Sequence, residues 1–241
     1  MKLARAGIIG AESGIQAGGQ HDKPFFKDTV TTTPMLPPLV TLGHPRLSQP
    51  SLPVSIDEIN TEAFQSRLKV LRAGLEYHGA NGIAAPQLGW FERFLLMRDR
   101  RRAATLVYWI NPELEVLSSD LLWCWEGCLS VPGIKAYVGR PSAVAVTGYD
   151  QCGERLVREF EGWEAHLFQH EFDHLEGILF PYRVADPRHM VTTIELEHRD
   201  EWPEDWPLPG AKHAPVRVVD DCPGSNTKRF KRYCQHDGVL C

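Results

Sequence analysis

The sequence predicts an α+β fold, and two observations carry that prediction. Several stretches rich in β-branched and aromatic residues, separated by turn signals, run before a single buried helix. They do not alternate with helices at the spacing of βαβ units, which argues against a parallel doubly wound sheet. With 241 residues, 43% apolar and 24% charged, the chain has ordinary globular composition and can form a sizeable core.

Taken in order, residues 1–38 mix Gly, Thr, Gln and charges without periodicity and end in Pro34-Met35-Leu36-Pro37-Pro38, so an N-terminal extension is expected there. Ser55-Ile56-Asp57-Glu58 reads as a capping box that opens a helix. Phe64, Leu68, Leu71 and Leu75 mark its buried face, and Gly79 its end. The small residues from Gly79 to Gly89 read as a loop or short edge strand that a ligand can approach closely. Extended stretches are expected at 94–97, 106–110, 114–117, 121–125, 143–149 and 156–160, with turns at Asn111-Pro112, Ser118-Ser119-Asp120 and Asp150-Gln151-Cys152-Gly153.

The second helix is expected between Gly162 and Gly177. Trp163, His166, Leu167, His170 and His174 follow the spacing of one face, while Phe168, Phe172 and Leu175 make the other side apolar too. A helix apolar on both sides belongs in a core. Residues 39–200 are thus expected to form one catalytic domain and residues 201–241 a tail.

The formal charge of −5 gives no general reason to expect nucleic acid as a specific partner, and Lys228-Arg229-Phe230-Lys231-Arg232 reads as a solvated basic run. No run of about 18 apolar residues is present to span a membrane. Six irregularly spaced cysteines fit a reducing compartment, so a cytoplasmic location is expected; an organellar presequence is the alternative, with Glu12 and Asp22 weighing against it. Cys222, Cys234, His236 and Cys241 match no compact zinc spacing.

Chemistry concentrates in His170-Glu171-Phe172-Asp173-His174. On a helix the two histidines stand one turn apart on one face, where two imidazoles can hold one metal ion, with Glu171 beside it as proton acceptor: a metal-dependent hydrolase site. The third ligand decides which kind. The metzincin pattern would put it at Phe180, which cannot ligate. Glu195 or Glu197 would make a thermolysin-like peptidase. Cys128 would complete a Cys-His-His site with a position left for water, whereas Cys124 with Cys128 and the histidines would make a closed structural zinc site that gives Glu171 no task.

Three segments in order, Gly82-Ile83-Ala84-Ala85-Pro86-Gln87, Glu126-Gly127-Cys128-Leu129-Ser130 and Gln169-His170-Glu171-Phe172-Asp173-His174, resemble the three signature segments of peptide deformylase. The resemblance covers roughly residues 39 to 190. It implies antiparallel strands packed around a central buried metal-binding helix, with Cys128, His170 and His174 as ligands to Fe²⁺, for which Zn²⁺, Ni²⁺ or Co²⁺ can substitute. It also implies N-formyl-methionyl peptides as substrates, formate as product, and transient ribosome contact. Glu171 is then the proton carrier, with the Gln87 amide and the Leu129 backbone N–H as donors to the developing oxyanion. Gly82 and Ile83 border the peptide, and Trp163, His166 and Leu167 are candidate walls for the methionine side chain. Trp163 and Leu167 fit plain core packing equally well. Glu126 and Arg140 are expected to pair beside Cys128, contributing little if exposed. Asp173 is either a surface charge or a partner for a ligand histidine. The family loop normally has two glycines flanking one residue, whereas Ala80-Asn81-Gly82 keeps only the second. Ala80 fits only if its φ is negative, and Asn81 puts a polar side chain beside the peptide path.

Overall fold

A computed structural model describes residues 36–99 and 105–216. Helix α1 spans Glu62–His78, strand β1 Gly82–Ala84, β2 Phe94–Asp99, β3 Thr105–Val116, β4 Leu121–Cys128, β5 Val131–Pro141, β6 Ala143–Tyr149 and β7 Arg155–Glu161. Helix α2 follows at Gly162–Leu175, then β8 at Met190–Thr192 and the short α3 at Thr193–Glu197. The strand pairings within both sheets are antiparallel: one sheet has the order β1-β2-β3-β6-β7 and the other β4-β5-β8.

The period-two alternation of β2 explains how the larger sheet is covered. Phe94 and Leu96 join the core under α1, with Phe64, Leu68, Leu71, Leu75 and Ile110. Leu95 and Met97 join the core under α2, with Trp109, Val144, Val146, Phe160, Leu167 and Phe168. The sheet is therefore sandwiched between the two helices. Beyond α2 lies the smaller sheet, whose β4 and β5 carry the residues that meet the histidines. The expected arrangement, α+β with antiparallel strands around a buried helix, is found.

Several local expectations are corrected. Ser55 makes no side-chain cap; α1 begins later, where Thr61 Oγ1 accepts from the Phe64 N–H. The turn expected at Asn111-Pro112 is a bulge inside one continuous strand, and Asn111 has φ 49°. That strained residue is held from outside the sheet: its amide accepts from Val54 N and donates to Val54 O. Strand β5 was not expected, because Pro132, Gly133, Lys135, Gly139 and Arg140 break the apolar alternation. The edge strand expected within 79–89 is β1, and α2 stops where Gly177 takes φ 72°.

Packing continues past the boundary expected at residue 200. Trp202, Ala211 and Ala214 form a cluster with Trp125, Tyr137, Val191 and Leu196, and Trp125 Nε1 donates to Ala211 O. The expected tail therefore begins with packed chain as far as Val216, which bridges to Trp125. Residues 1–35 of the expected extension, the basic run 228–232 and Cys222, Cys234, His236 and Cys241 lie outside the described residues. No helix among the described residues is long and apolar enough to cross a membrane.

Candidate metal centre

The site forms where α2 faces β4. Alternation along β4 directs Cys124, Glu126 and Cys128 to one side and Trp125 to the other, where it packs against Trp202. On α2, the four-residue spacing stacks His170 and His174 one turn apart. Cys128, His170 and His174 are all buried, and each offers a ligand atom within 4.8 Å of the others.

The donor chemistry fits a metal ion. Cys128 Sγ lies 3.2 Å from His174 Nε2 and receives the Ser130 N–H at 3.4 Å and the Gln87 side-chain amide at 3.5 Å, an environment that favours a thiolate. His170 Nε2 is buried without a hydrogen-bond partner, as an imidazole nitrogen meant for a metal should be. Burial first, then the His170 and Arg140 charges, holds His174 well below the ordinary histidine range, so it stays neutral and able to ligate.

Behind the ligands sits an interlocked charge cluster. Glu126 is 1% exposed. Its Oε1 accepts from Arg140 Nε at 2.6 Å, and its Oε2 from Arg140 Nη2 at 3.0 Å. His170 Nδ1 lies 2.7 Å from Oε2 and His166 Nε2 lies 2.6 Å from Oε1. Arg140 Nη1 donates to Asp173 Oδ2 at 2.7 Å, and Arg183 reaches the same carboxylate at 2.5 Å. The Glu126–Arg140 pair is thus fully enclosed, not exposed, and Asp173 is neither a surface charge nor a direct partner of a ligand histidine. It anchors Arg140. Burial alone would raise the Glu126 carboxyl, but Arg140 and the two histidines hold it well below the ordinary carboxylate range. Burial would likewise lower His166, yet hydrogen bonds to Cys124 and Glu126 bring it up to about 9.

The face of the site toward β1 is built differently. Gly82 faces Glu171 so closely that an added Cβ would lie 2.5 Å from Glu171 Oε1. Gln87 Oε1 accepts the Ala84 N–H at 2.8 Å, which leaves the NH₂ of the same amide pointing toward Cys128. Leu129 and Ile83 are buried in the α1 core. Ala80 is buried with no positive φ, so the alanine fits where a second glycine is usual. Asn81 O accepts from Arg98 N, tying that residue to β2.

The competing ligand sets do not assemble. Glu195 and Glu197 are exposed, and Glu195 Oε1 accepts from the Trp202 indole. Cys124 joins no metal-binding group among the described residues. Trp163 and Leu167 lie in the α2 core, and a groove of about 430 Å³ bounded by Met190, Glu195, Trp202 and Trp206 is formed by other residues entirely. Arg183 was not foreseen. The link from Arg140 to Asp173 was not foreseen either, although a charged residue inside a strand and one inside a buried helix were its signal.

The polypeptide deformylase family matches residues 36–190. The chain belongs to that family. Peptide deformylase 2 of Ralstonia nicotianae is 36% identical over 159 residues, 63% of this chain and 89% of that protein. The chloroplastic peptide deformylase 1A of Solanum lycopersicum is 32% identical over 178 residues, 67% of this chain, and the chain spans 64% of that relative's length. Among solved structures, the Met-Ala-Ser-bound class I type b peptide deformylase of Acinetobacter baumannii superposes with a TM-score of 0.58 at 33% identity, covering 62% of this chain and 98% of that one. Peptide deformylases are hydrolases that take the formyl group from nascent peptides, and the Cys-His-His group makes this member a metal-dependent enzyme.

Proposed function

We propose that the chain removes the formyl group from N-terminal formyl-methionine on emerging polypeptides, with Cys128, His170 and His174 holding Fe²⁺ and with Zn²⁺, Ni²⁺ or Co²⁺ as substitutes. The observation that carries this reading is Glu171, a buried carboxylate next to the Cys-His-His group and lodged against a glycine that leaves room for it. A bound ion supplies Lewis-acid chemistry, making water acidic and polarising a carbonyl oxygen.

Everything else falls to the chain's own residues. The Glu171 carboxylate takes a proton from the attacking water and returns it to the peptide nitrogen as the formyl C–N bond breaks. Gln87 Nε2 and the Leu129 N–H are the donors for the negative charge that develops on the formyl oxygen. Strand β1 is at the edge of its sheet, so an extended peptide can add alongside Gly82 and Ile83 by backbone hydrogen bonding. Of the residues considered for a methionine wall, Leu167 and Trp163 are packed in the α2 core and His166 is turned to Glu126.

The catalytic domain is proposed to occupy residues 39–200, with residues 201–216 packed against its smaller sheet. Action on chains as they are made calls for transient contact with ribosomes in the cytoplasm; the tomato relative is named as chloroplastic, which makes an organelle the alternative.

The test is formate release from formyl-Met-Ala-Ser by the full chain loaded anaerobically with Fe²⁺, beside Glu171→Ala and Cys128→Ala. Turnover lost about 10²–10⁴-fold in Glu171→Ala with metal retained, and lost together with the metal in Cys128→Ala, is the expected result. Metal bound without formate release would overturn the substrate assignment.

A further inference from the structure

We propose that His166 is a positioning residue for the metal centre: it fixes the carboxylate of Glu126 to helix α2 and, through that carboxylate, sets the ring of His170. The inference rests on the metal site proposed above. Glu126 meets two histidines of α2, one per oxygen: His166 Nε2 at 2.6 Å from Oε1 and His170 Nδ1 at 2.7 Å from Oε2. The two rings stand one helical turn apart, and only one of them belongs to the metal-binding group. His166 is 4% exposed, so its polar ring is held in the interior for a reason other than contact with water.

The geometry supplies that reason. A ligand histidine commonly has its second nitrogen held by a carboxylate, a backbone carbonyl or water, which fixes the ring orientation and leaves the other nitrogen for the metal, and for His170 that partner is Glu126. Here the carboxylate comes from β4, while His170 and His174 come from α2. Arg140 grips both oxygens of Glu126 from β5, but its third nitrogen is committed to Asp173. Without His166, the carboxylate's tie to α2 would be the single contact it makes with His170. With His166, the helix holds both oxygens, so tilting the carboxylate about its Cγ–Cδ bond would disturb two contacts instead of one. His166 Nε2 approaches Oε1 to 2.6 Å without the alignment of a hydrogen bond, so the tie between them rests on that close, enclosed N···O contact. It also explains why a residue on the same helical face as the ligands is turned to Glu126.

The experiment titrates the metal-free full chain with Co²⁺ against a competing chelator and records the visible absorption of the thiolate-bound ion. The variants are His166→Leu, which keeps bulk without a donor, and His166→Gln, which keeps an N–H. His166→Leu is expected to weaken Co²⁺ binding about 10–100-fold and to alter the absorption, with His166→Gln recovering most of both. Unchanged affinity and absorption in His166→Leu would overturn the inference. So would equal weakening in both variants accompanied by a lowered melting temperature of the metal-free chain, which would make His166 a packing residue. Intact chain that binds Co²⁺ but releases no formate would remove the substrate assignment and leave the His166 comparison decisive.

Discussion

The two sides of the centre are built by opposite means. On the metal side, side chains do the work: Glu126, Arg140, Asp173, Arg183 and His166 interlock behind the ligands, each nearly enclosed apart from Arg183. On the substrate side, missing side chains do it: Gly82 makes room for Glu171, and a single amide, Gln87, aims one donor at the site. The difference teaches that metal affinity and turnover can be damaged separately. The first depends on compensated charge, the second on clearance and on one or two donors.

The sharpest break should come on the metal side. Arg140→Leu removes the cation shared by two buried carboxylates and is expected to lower stability by about 3–5 kcal/mol, read as a fall in denaturation midpoint together with lost metal. On the substrate side, Gln87→Glu keeps an oxygen for the Ala84 N–H but removes the donor. Formate release should fall about 10²–10³-fold while metal content holds; loss of metal instead would erase the division between the sides.

A pH series separates the members of the charge cluster in metal-free chain. Glu126 titrates below its ordinary value of 4.5 when folded, so its stabilisation is present above that value and is lost as pH falls through the folded one. His166 is raised from 6.5 to about 9, so its stabilisation is complete below 6.5 and is lost as pH rises toward 9, by at most about 3 kcal/mol. Melting temperatures should decline across that alkaline window in the intact chain and stay flatter in His166→Gln. The smallest effect is expected from Gly82→Ala, which pushes the Glu171 carboxylate aside. A displacement of about 1 Å can cost about 10² in rate, and the kinetics should show it in kcat with metal content unchanged.

The metal side was only half legible in the sequence. His170, His174 and Glu171 are placed by helical spacing, a local signal, whereas residue reasoning leaves Cys128 beside Glu195 and Glu197 and only the family resemblance of Glu-Gly-Cys-Leu-Ser picks it out. The enclosure of Arg140 was not legible, since it depends on β5, and nothing in Pro132, Gly133 or Gly139 announces a strand. That strand exists because β4 and β8 pair with it on both sides, a tertiary cause that overrides local preference. The sequence of small residues around Gly82 points to a close approach, and the group that approaches is the Glu171 carboxylate. Asn111-Pro112 has the local composition of a turn and forms a bulge instead, because the Asn111 amide is bonded to Val54, 57 residues away.

Strand β4 has two faces that are completed at different times as the chain is made. Cys128 meets its histidine partner only after a further 46 residues, which at about 5–20 residues per second takes roughly 2–9 s of synthesis. The opposite face waits longer, because Trp125 receives Ala211 only 86 residues on. The face of β4 that carries Cys128 can therefore close on α2 while the last aromatic cover of the strand's outer side is still being synthesised.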